Sequence, residues 1–335
     1  MVRNNSVDIA KGIGIFLVIW AHGVCPVFPQ ISVFHMPLFF LLSGYVLNTK
    51  DGFKVSLGKK IKTLLIPFAF FFVLQRIGFN LVAIAEGTFK TAYLLPWYSI
   101  PPWRVMGVLW FIFSMFTVAM AYSLISKIPS VAARFIICLV LTYTGFTLHS
   151  YNIDLPLHFG SSMSMMLFYW LGTVLVKFDM NKIPQWWKWA LSGIASLLIF
   201  ITYLHLYLPE ISVANDVFDG NFFLNLTLMI TGCLTTFIIS KSIDFIPYVN
   251  SGLAYIGRNS LVVFATHTIF LQAIYLAFPK NSVTYPFGVL ITISILGITL
   301  LINIGLQKYF PLSLGKTSLD PLRMIWPDRV SDKKL

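Results

Sequence analysis

The sequence predicts an all-α integral membrane protein of about ten transmembrane helices, with both termini in the cytoplasm. Three observations lead there. Of the 335 residues, 57% are hydrophobic and 11% charged, against about 25% charged in ordinary soluble domains. The apolar residues are gathered into ten stretches, most of them near the roughly 20 residues that a bilayer-spanning helix needs. Finally, if the N-terminus is cytoplasmic, 20 of the 24 Lys and Arg fall on that side or at its edge, which is the bias that orients membrane proteins.

The stretches lie near residues 10–28, 33–48, 63–85, 107–126, 132–149, 161–177, 189–208, 221–240, 259–278 and 286–306. The second and sixth are short, as tilted or partly re-entrant segments would be. Arg3 and Lys11 precede the first stretch as they would in a secretory signal, but no A-x-A cleavage pattern follows, so it reads as an uncleaved span. Alternate connections 49–62, 127–131, 178–188 and 241–258, with the segment after 306, are cytoplasmic in this arrangement. Lys90, Arg104 and Lys280 fall outside and Arg76 lies within a span. The domain reading is one transmembrane unit over 1–306 and a short cytoplasmic tail over 307–335. The longest outer connection, 86–106, carries Tyr93, Trp97, Tyr98 and Trp103 among prolines. Interfacial aromatics are the plainer reading of that composition, and a stacking platform for a sugar is the rival one.

The net charge of +12 does not indicate nucleic acid, because the basic residues are scattered between apolar spans. Membrane lipid is the partner they imply. Cys25, Cys138 and Cys233 give neither a disulfide framework nor CxxC metal spacing, and no metal is expected.

Ionisable side chains inside apolar spans are costly and mark function. Lys11 and His22 lie eleven residues apart in DIAKGIGIFLVIWAHGVCPVF. Eleven residues make three helical turns and about 16 Å, so both share one face. The lysine then reaches the aqueous edge while the imidazole lies deep in the bilayer. His35 opens the second span, a short connection away, and histidine suits general-base or proton-shuttle work near neutral pH; buried structural histidines are the plainer alternative. Lys59, Lys60 and Lys62 in GKKIKTLLIP stand at the mouth of the third span, where they either enforce topology or cradle an anion. Arg76, about fourteen residues into that span, and His267, about eight into the ninth with Arg258 and Asn259 at its inner mouth, are candidate lining residues. His149, Asp154 and His158 share one outer connection, where solvated loop residues are the plainer reading and a metal site the rival one.

Taken together, R3…VDIAKGIGIFLVIWAH, FHMPLFFLLSGYVL, KKIKTLLIP, LWFIFSMF at 109–116 and GRNSLVVFATH at 257–267 resemble membrane acyltransferase family 3. The DIAKG and FHMPLFF wording is similar to its branch of fucose 4-O-acetylase-type O-acyltransferases. The resemblance implies a multi-pass enzyme of the bacterial cytoplasmic (inner) membrane. Such an enzyme takes an acyl group, usually acetyl, from cytoplasmic acyl-coenzyme A. It delivers that group to a hydroxyl of an extracytoplasmic glycan or lipid-linked sugar, a polysaccharide modification. The family's basic-residue-to-histidine spacing falls on Lys11 and His22, and its Arg-x-x-Arg motif on Lys59 and Lys62. Both of those positions are lysine here, which meets phosphate as a point charge rather than a bidentate fork.

On this reading His22 is the general base and His35 orients it or relays its proton. Lys11, Lys59, Lys62 and Arg258 hold acetyl-coenzyme A, and Arg76, Trp110 and His267 contact the acceptor. Two other readings stay open on the residues alone: a transporter or exporter whose pathway is lined by His22, Arg76 and His267, and a membrane scaffold with buried histidines.

Overall fold

The computed structural model describes residues 5–48, 52–87, 106–178 and 185–316. The aromatic residues of connection 86–106 singled out above, with Arg3, Lys90 and Arg104, lie outside that set.

The chain is a helical bundle built around its first helix. α1 (Asn5–His22) buries Ile9, Ala10, Ile15, Val18 and Ile19 completely. It is surrounded by α3 (His35–Tyr45), α11 (Phe222–Ile243), α12 (Val249–Arg258), α13 (Ser260–Ala277) and α14 (Tyr285–Tyr309). The closest of these approaches is made by glycine. A Cβ on Gly12 would strike the Leu253 carbonyl of α12, and one on Gly257 would strike the Asp8 carbonyl of α1. Small residues let helix backbones touch where no hydrophobic effect drives association. That contact brings Asp8 to 3.9 Å from Arg258. The start of α1 is tied down further: Asn5 and Ser6 both donate to the Asp244 carboxylate just past α11, at 2.6 and 2.9 Å.

Six helices among the described residues are long and apolar enough to cross a membrane: Phe53–Ala85, Gly107–Ile125, Trp186–Leu206, Phe222–Ile243, Ser260–Ala277 and Tyr285–Tyr309. The outermost of them are inside-out by soluble standards. Val73, Ile77, Leu81 and Ile84, spaced three or four residues apart, are exposed on one helix. Leu191, Ile194, Leu198 and Ile199 are exposed on another. Such stripes suit hydrocarbon as solvent.

Several boundaries differ from the sequence reading for local reasons. The first apolar stretch does not stay helical to Phe28. α1 stops at His22, where Gly23 bonds back to Ile19 and Trp20, and Pro26 and Pro29 follow. The short α2 (Phe28–Ser32) then leads into α3. His22 is therefore the last residue of its helix, followed by a turn rather than by more of the same span. The segment after 241, read as a connection, contains α12. The third stretch begins earlier, as α4 (Phe53–Lys60), a π-helical turn over Ile61–Leu65, and α5 (Ile66–Ala85).

α6 (Trp110–Ile125) and α7 (Val131–Thr147) follow. The short sixth stretch is broken at Met165 into α8 (Phe159–Ser164) and α9 (Met166–Leu175). α10 (Trp186–Leu206) packs against α11. Between those two lies one departure from an all-α chain, a two-residue antiparallel pair, β1 (Ile211–Ser212) with β2 (Val217–Phe218). After α14 a tight turn over Pro311–Leu314 packs back against α5, and Gly315 abuts the Lys62 carbonyl.

Candidate active site

α1 gives the bundle two chemically distinct ends. At the Lys11 end stand Lys54, Lys59 and Lys60 on α4, Arg258 paired with Asp8, and Lys241 and Lys308 near the ends of α11 and α14. At the His22 end stand α2, the loop from His149 to His158, and the β1–β2 hairpin.

A cavity opens at each end, and one ring lines both. At the Lys11 end, about 130 Å³ is walled by Lys11, Ile15, Ser43, Leu64, Phe111 and Phe264, among others. At the His22 end, about 120 Å³ is walled by His22, Ser32, His35, Trp110 and Ala214, and again by Phe264. Phe264 is 5% exposed and meets Phe111 at 5.0 Å between ring centroids. Phe111 in turn packs against Phe39, Phe40 and Trp110. The backbone of α13 beside this septum is fixed by Gln75 of α5, a buried amide that donates to the Ala265 carbonyl at 2.8 Å. Gln75 was not singled out in the sequence. Its signal there was a polar residue inside a span, masked by the neighbouring Arg76.

Three histidines are positioned by one device. Nδ1 of His22 lies 2.8 Å from the Val18 carbonyl, and that of His35 lies 2.8 Å from the Ile31 carbonyl. Nδ1 of His267 lies 2.7 Å from the Phe264 carbonyl. A carbonyl oxygen only accepts, so each ring carries its proton on Nδ1, and in the neutral form Nε2 is a lone pair. His22 and His35 both line the outer cavity. His267 is fully buried behind them. Its ring meets that of His22 edge to face at 4.9 Å between centroids, and its Nε2 is buried without a hydrogen-bond partner among the described residues.

The other expected residues are distributed unequally. Lys11 lines the inner cavity and Trp110 the outer one. Lys59 is exposed on α4 and Lys62 half-buried in the π turn, and neither is a wall of the inner cavity, although Leu64 of the same turn is. The charge of Lys60, which the motif spacing passes over, is felt together with that of Lys11. Arg76 stands 5.6 Å over the Phe72 ring and walls neither cavity. Arg258 is oriented by Asp8.

The loop residues read as solvated turn out to form a third cavity of about 560 Å³ beside the outer one, walled by His149, Asn152, Asp154, His158, Asn215 and Asp216. Asp216 is 9% exposed and accepts from Ser161 Oγ at 2.8 Å. Its burial, aided by the neighbouring Asp154 and opposed by the Ser161 hydrogen bond and by His149, pushes its carboxyl up to about 6.

Comparison with known proteins gives the chain's family. The family model described as an acyltransferase domain, of acyltransferase family 3, matches residues 4–305. Nodulation protein NolL of Mesorhizobium japonicum is 31% identical over 136 residues, a match that spans 34% of this chain and 34% of that protein.

Proposed function

From a chain that belongs to acyltransferase family 3, we propose a membrane O-acyltransferase. It moves an acyl group, acetyl in the simplest case, from acyl-coenzyme A at the Lys11 end to a sugar hydroxyl at the His22 end. The observation that carries this reading is the pair of cavities meeting at Phe264, one walled by Lys11 and the other by His22. Ten spans in the cytoplasmic membrane of a bacterium, with the lysine-rich end inward, are the topology that goes with it.

The inner cavity is narrow and mostly apolar, a slot for a pantetheine arm rather than a nucleotide. Lys11 and Lys60 give its mouth positive charge, and Lys59, Lys62 and Arg258 lie beyond to meet phosphates. With the thioester carbonyl brought to Phe264, His22 Nε2 takes the proton of the acceptor hydroxyl as its oxygen attacks. The tetrahedral intermediate collapses with cleavage of the carbon–sulfur bond. The proton on His22 then passes to the leaving thiolate, leaving an ester and free coenzyme A. The Nδ1 hydrogen bond to Val18 holds the ring in the tautomer this step requires. His35, on the same cavity and in the same tautomer, orients the hydroxyl or relays its proton.

The transporter reading has less behind it, since Arg76 and His267, two of the three residues it requires, wall none of the three cavities. Mass spectrometry of surface glycans from cells expressing the protein tests acyl transfer. An acyl ester gained with the wild type and absent with His22→Ala is expected. Full ester formation by His22→Ala overturns the assignment of His22 as base.

A further inference from the structure

The outer catalytic cavity, at about 120 Å³, has room for the reacting edge of an acceptor and little more. The neighbouring cavity, at about 560 Å³, falls within the range of ordinary small-molecule sites, roughly 300–1,000 Å³. The two share a wall. Ala214, in the turn between β1 and β2, lines both. His158, a wall of the larger cavity, lies with its ring 5.5 Å from that of Trp110, a wall of the smaller.

The larger cavity is built at conformational expense. Of the five non-glycine residues with positive φ among those described, four belong to its two loops: Asn152, Leu157, His158 and Asp216, at 55–57°. For a leucine that conformation is a genuine outlier, and such strain gathers where a surrounding structure holds a ligand site. The carboxylate at its floor also depends on Gly160, where a Cβ would strike Asp216. No group of three or more His, Cys, Asp or Glu among the described residues is arranged to hold a metal ion. The cavity's lining joins its polar groups to the apolar Ile153, Leu155 and Ala214.

We propose that this cavity, between the loop from His149 to His158 and the β1–β2 hairpin, binds the sugar ring of a neutral glycoside acceptor, with Asp154 and Asp216 accepting from its hydroxyls and Ala214 marking the threshold to His22. The inference rests on the acyl-transfer reading for the direction in which the sugar points. The chemistry selects the ligand class. Two carboxylates, two imidazoles and two amides share the lining with apolar side chains, the mixture that the hydroxyls and C–H faces of a pyranose require. The carboxylates repel a uronate or a phosphate. With the ring held there, only a hydroxyl directed past Ala214 reaches the histidines, so the cavity fixes which position is acylated.

Saturation-transfer NMR on the full chain in lipid nanodiscs tests this without any reaction. The probes are neutral methyl glycosides of glucose, galactose, mannose, fucose and N-acetylglucosamine, with methyl glucuronoside as the anionic counterpart. At least one neutral glycoside is expected to bind, the glucuronoside at least about tenfold more weakly. Asp216→Asn and the exposed Asp154→Asn should each weaken the neutral glycoside about tenfold, while His22→Ala keeps it. The idea is overturned if no neutral glycoside binds, if the glucuronoside binds as well, or if both Asp variants bind like the wild type. Acyl-coenzyme A turnover measured on the same preparations separates the two readings. Sugar binding without turnover in the wild type sinks acyl transfer alone, and turnover without binding in this cavity sinks the sugar site alone.

Discussion

His22 and His267, 245 positions apart in sequence, meet edge to face with ring centroids 4.9 Å apart. Each ring is fixed by an Nδ1 hydrogen bond to its own helix backbone. His22 is open to the outer cavity, whereas His267 is sealed, with its Nε2 lone pair unmatched by any donor among the described residues. A bare imidazole nitrogen in an apolar wall is costly on its own account. In the proposed reaction it would be useful when His22 turns into an imidazolium, because an electron-rich neighbour stabilises that charge.

A division of labour follows. His22→Ala should lower the rate of acyl transfer by at least about a hundredfold, the usual scale for a general base. On the proposed mechanism His267 acts through His22 as a positioning residue, so His267→Phe should lower kcat about tenfold, or about 1.4 kcal/mol, and leave the KM for acetyl-coenzyme A unchanged. His267→Gln, which keeps a polar atom against His22, should recover part of the loss. A role in packing alone predicts the opposite ranking, with Phe, the better filler of an apolar pocket, equal to the wild type or better. Steady-state kinetics on the two variants decides between them.

Phe264 is the septum between the cavities. Phe264→Ala should join them and let water from the His22 end reach the thioester. Hydrolysis of acetyl-coenzyme A in the absence of acceptor is then expected to rise several-fold while transfer falls. Phe264→Leu, which keeps most of the volume, should stay close to the wild type. If Phe264→Ala shows no more hydrolysis than the wild type, the septum lies elsewhere. A fall in thermal stability will accompany this variant, since large-to-small changes in well-packed protein cost about 3–5 kcal/mol.

The six long apolar helices and the Lys11–His22 register were legible because they rest on local periodicity and on one helix's geometry. Both residues do line cavities at opposite ends of α1. The end of the first helix was misread because hydropathy ran on past Gly23, whereas the helix did not. The π turn at Ile61–Leu65 obscured the direction of Lys62, since a wider turn changes the helix phase, and the effect of Lys11 on Lys60 depends on tertiary packing. The pairing of His22 with His267 depends on tertiary packing and leaves no trace at short range. The larger outer cavity was hidden for another reason: left-handed conformations at Leu157 and His158 have no side-chain signature, so polar loop residues looked merely solvated.

The glycine contact between α1 and α12 sets where both Asp8 and Lys11 stand. Gly12→Val adds two methyl groups where even a Cβ meets the Leu253 carbonyl, and overpacking of this kind costs about 1–3 kcal/mol. The expected result is a lower melting temperature in detergent, with acetyl-coenzyme A affinity reduced because Arg258 and Lys11 separate. Gly252→Ala, on the same α12 with open space around its Cα, should melt like the wild type. Equal melting of Gly12→Val and the wild type would show that the helices are not held at this distance.

Asp216 links the outer loops to pH. Its carboxyl is pushed up to about 6 by burial and by Asp154, against the Ser161 hydrogen bond and the His149 charge. A raised carboxyl favours the protonated folded state, so its contribution is fully present below about pH 3.8 and is lost as pH rises through about 6. At neutral pH the buried carboxylate therefore costs at most about 3 kcal/mol. Asp216→Asn keeps the acceptor for Ser161 and suits the left-handed backbone at φ 57°. Its melting temperature should exceed that of the wild type at pH 7.5 by more than it does at pH 5. A difference that does not change between those two values would mean that Asp216 is not ionising in this range. The variant should also lose the wild type's fall in acceptor affinity below pH 6, since only the ionised carboxylate is a full acceptor for sugar hydroxyls.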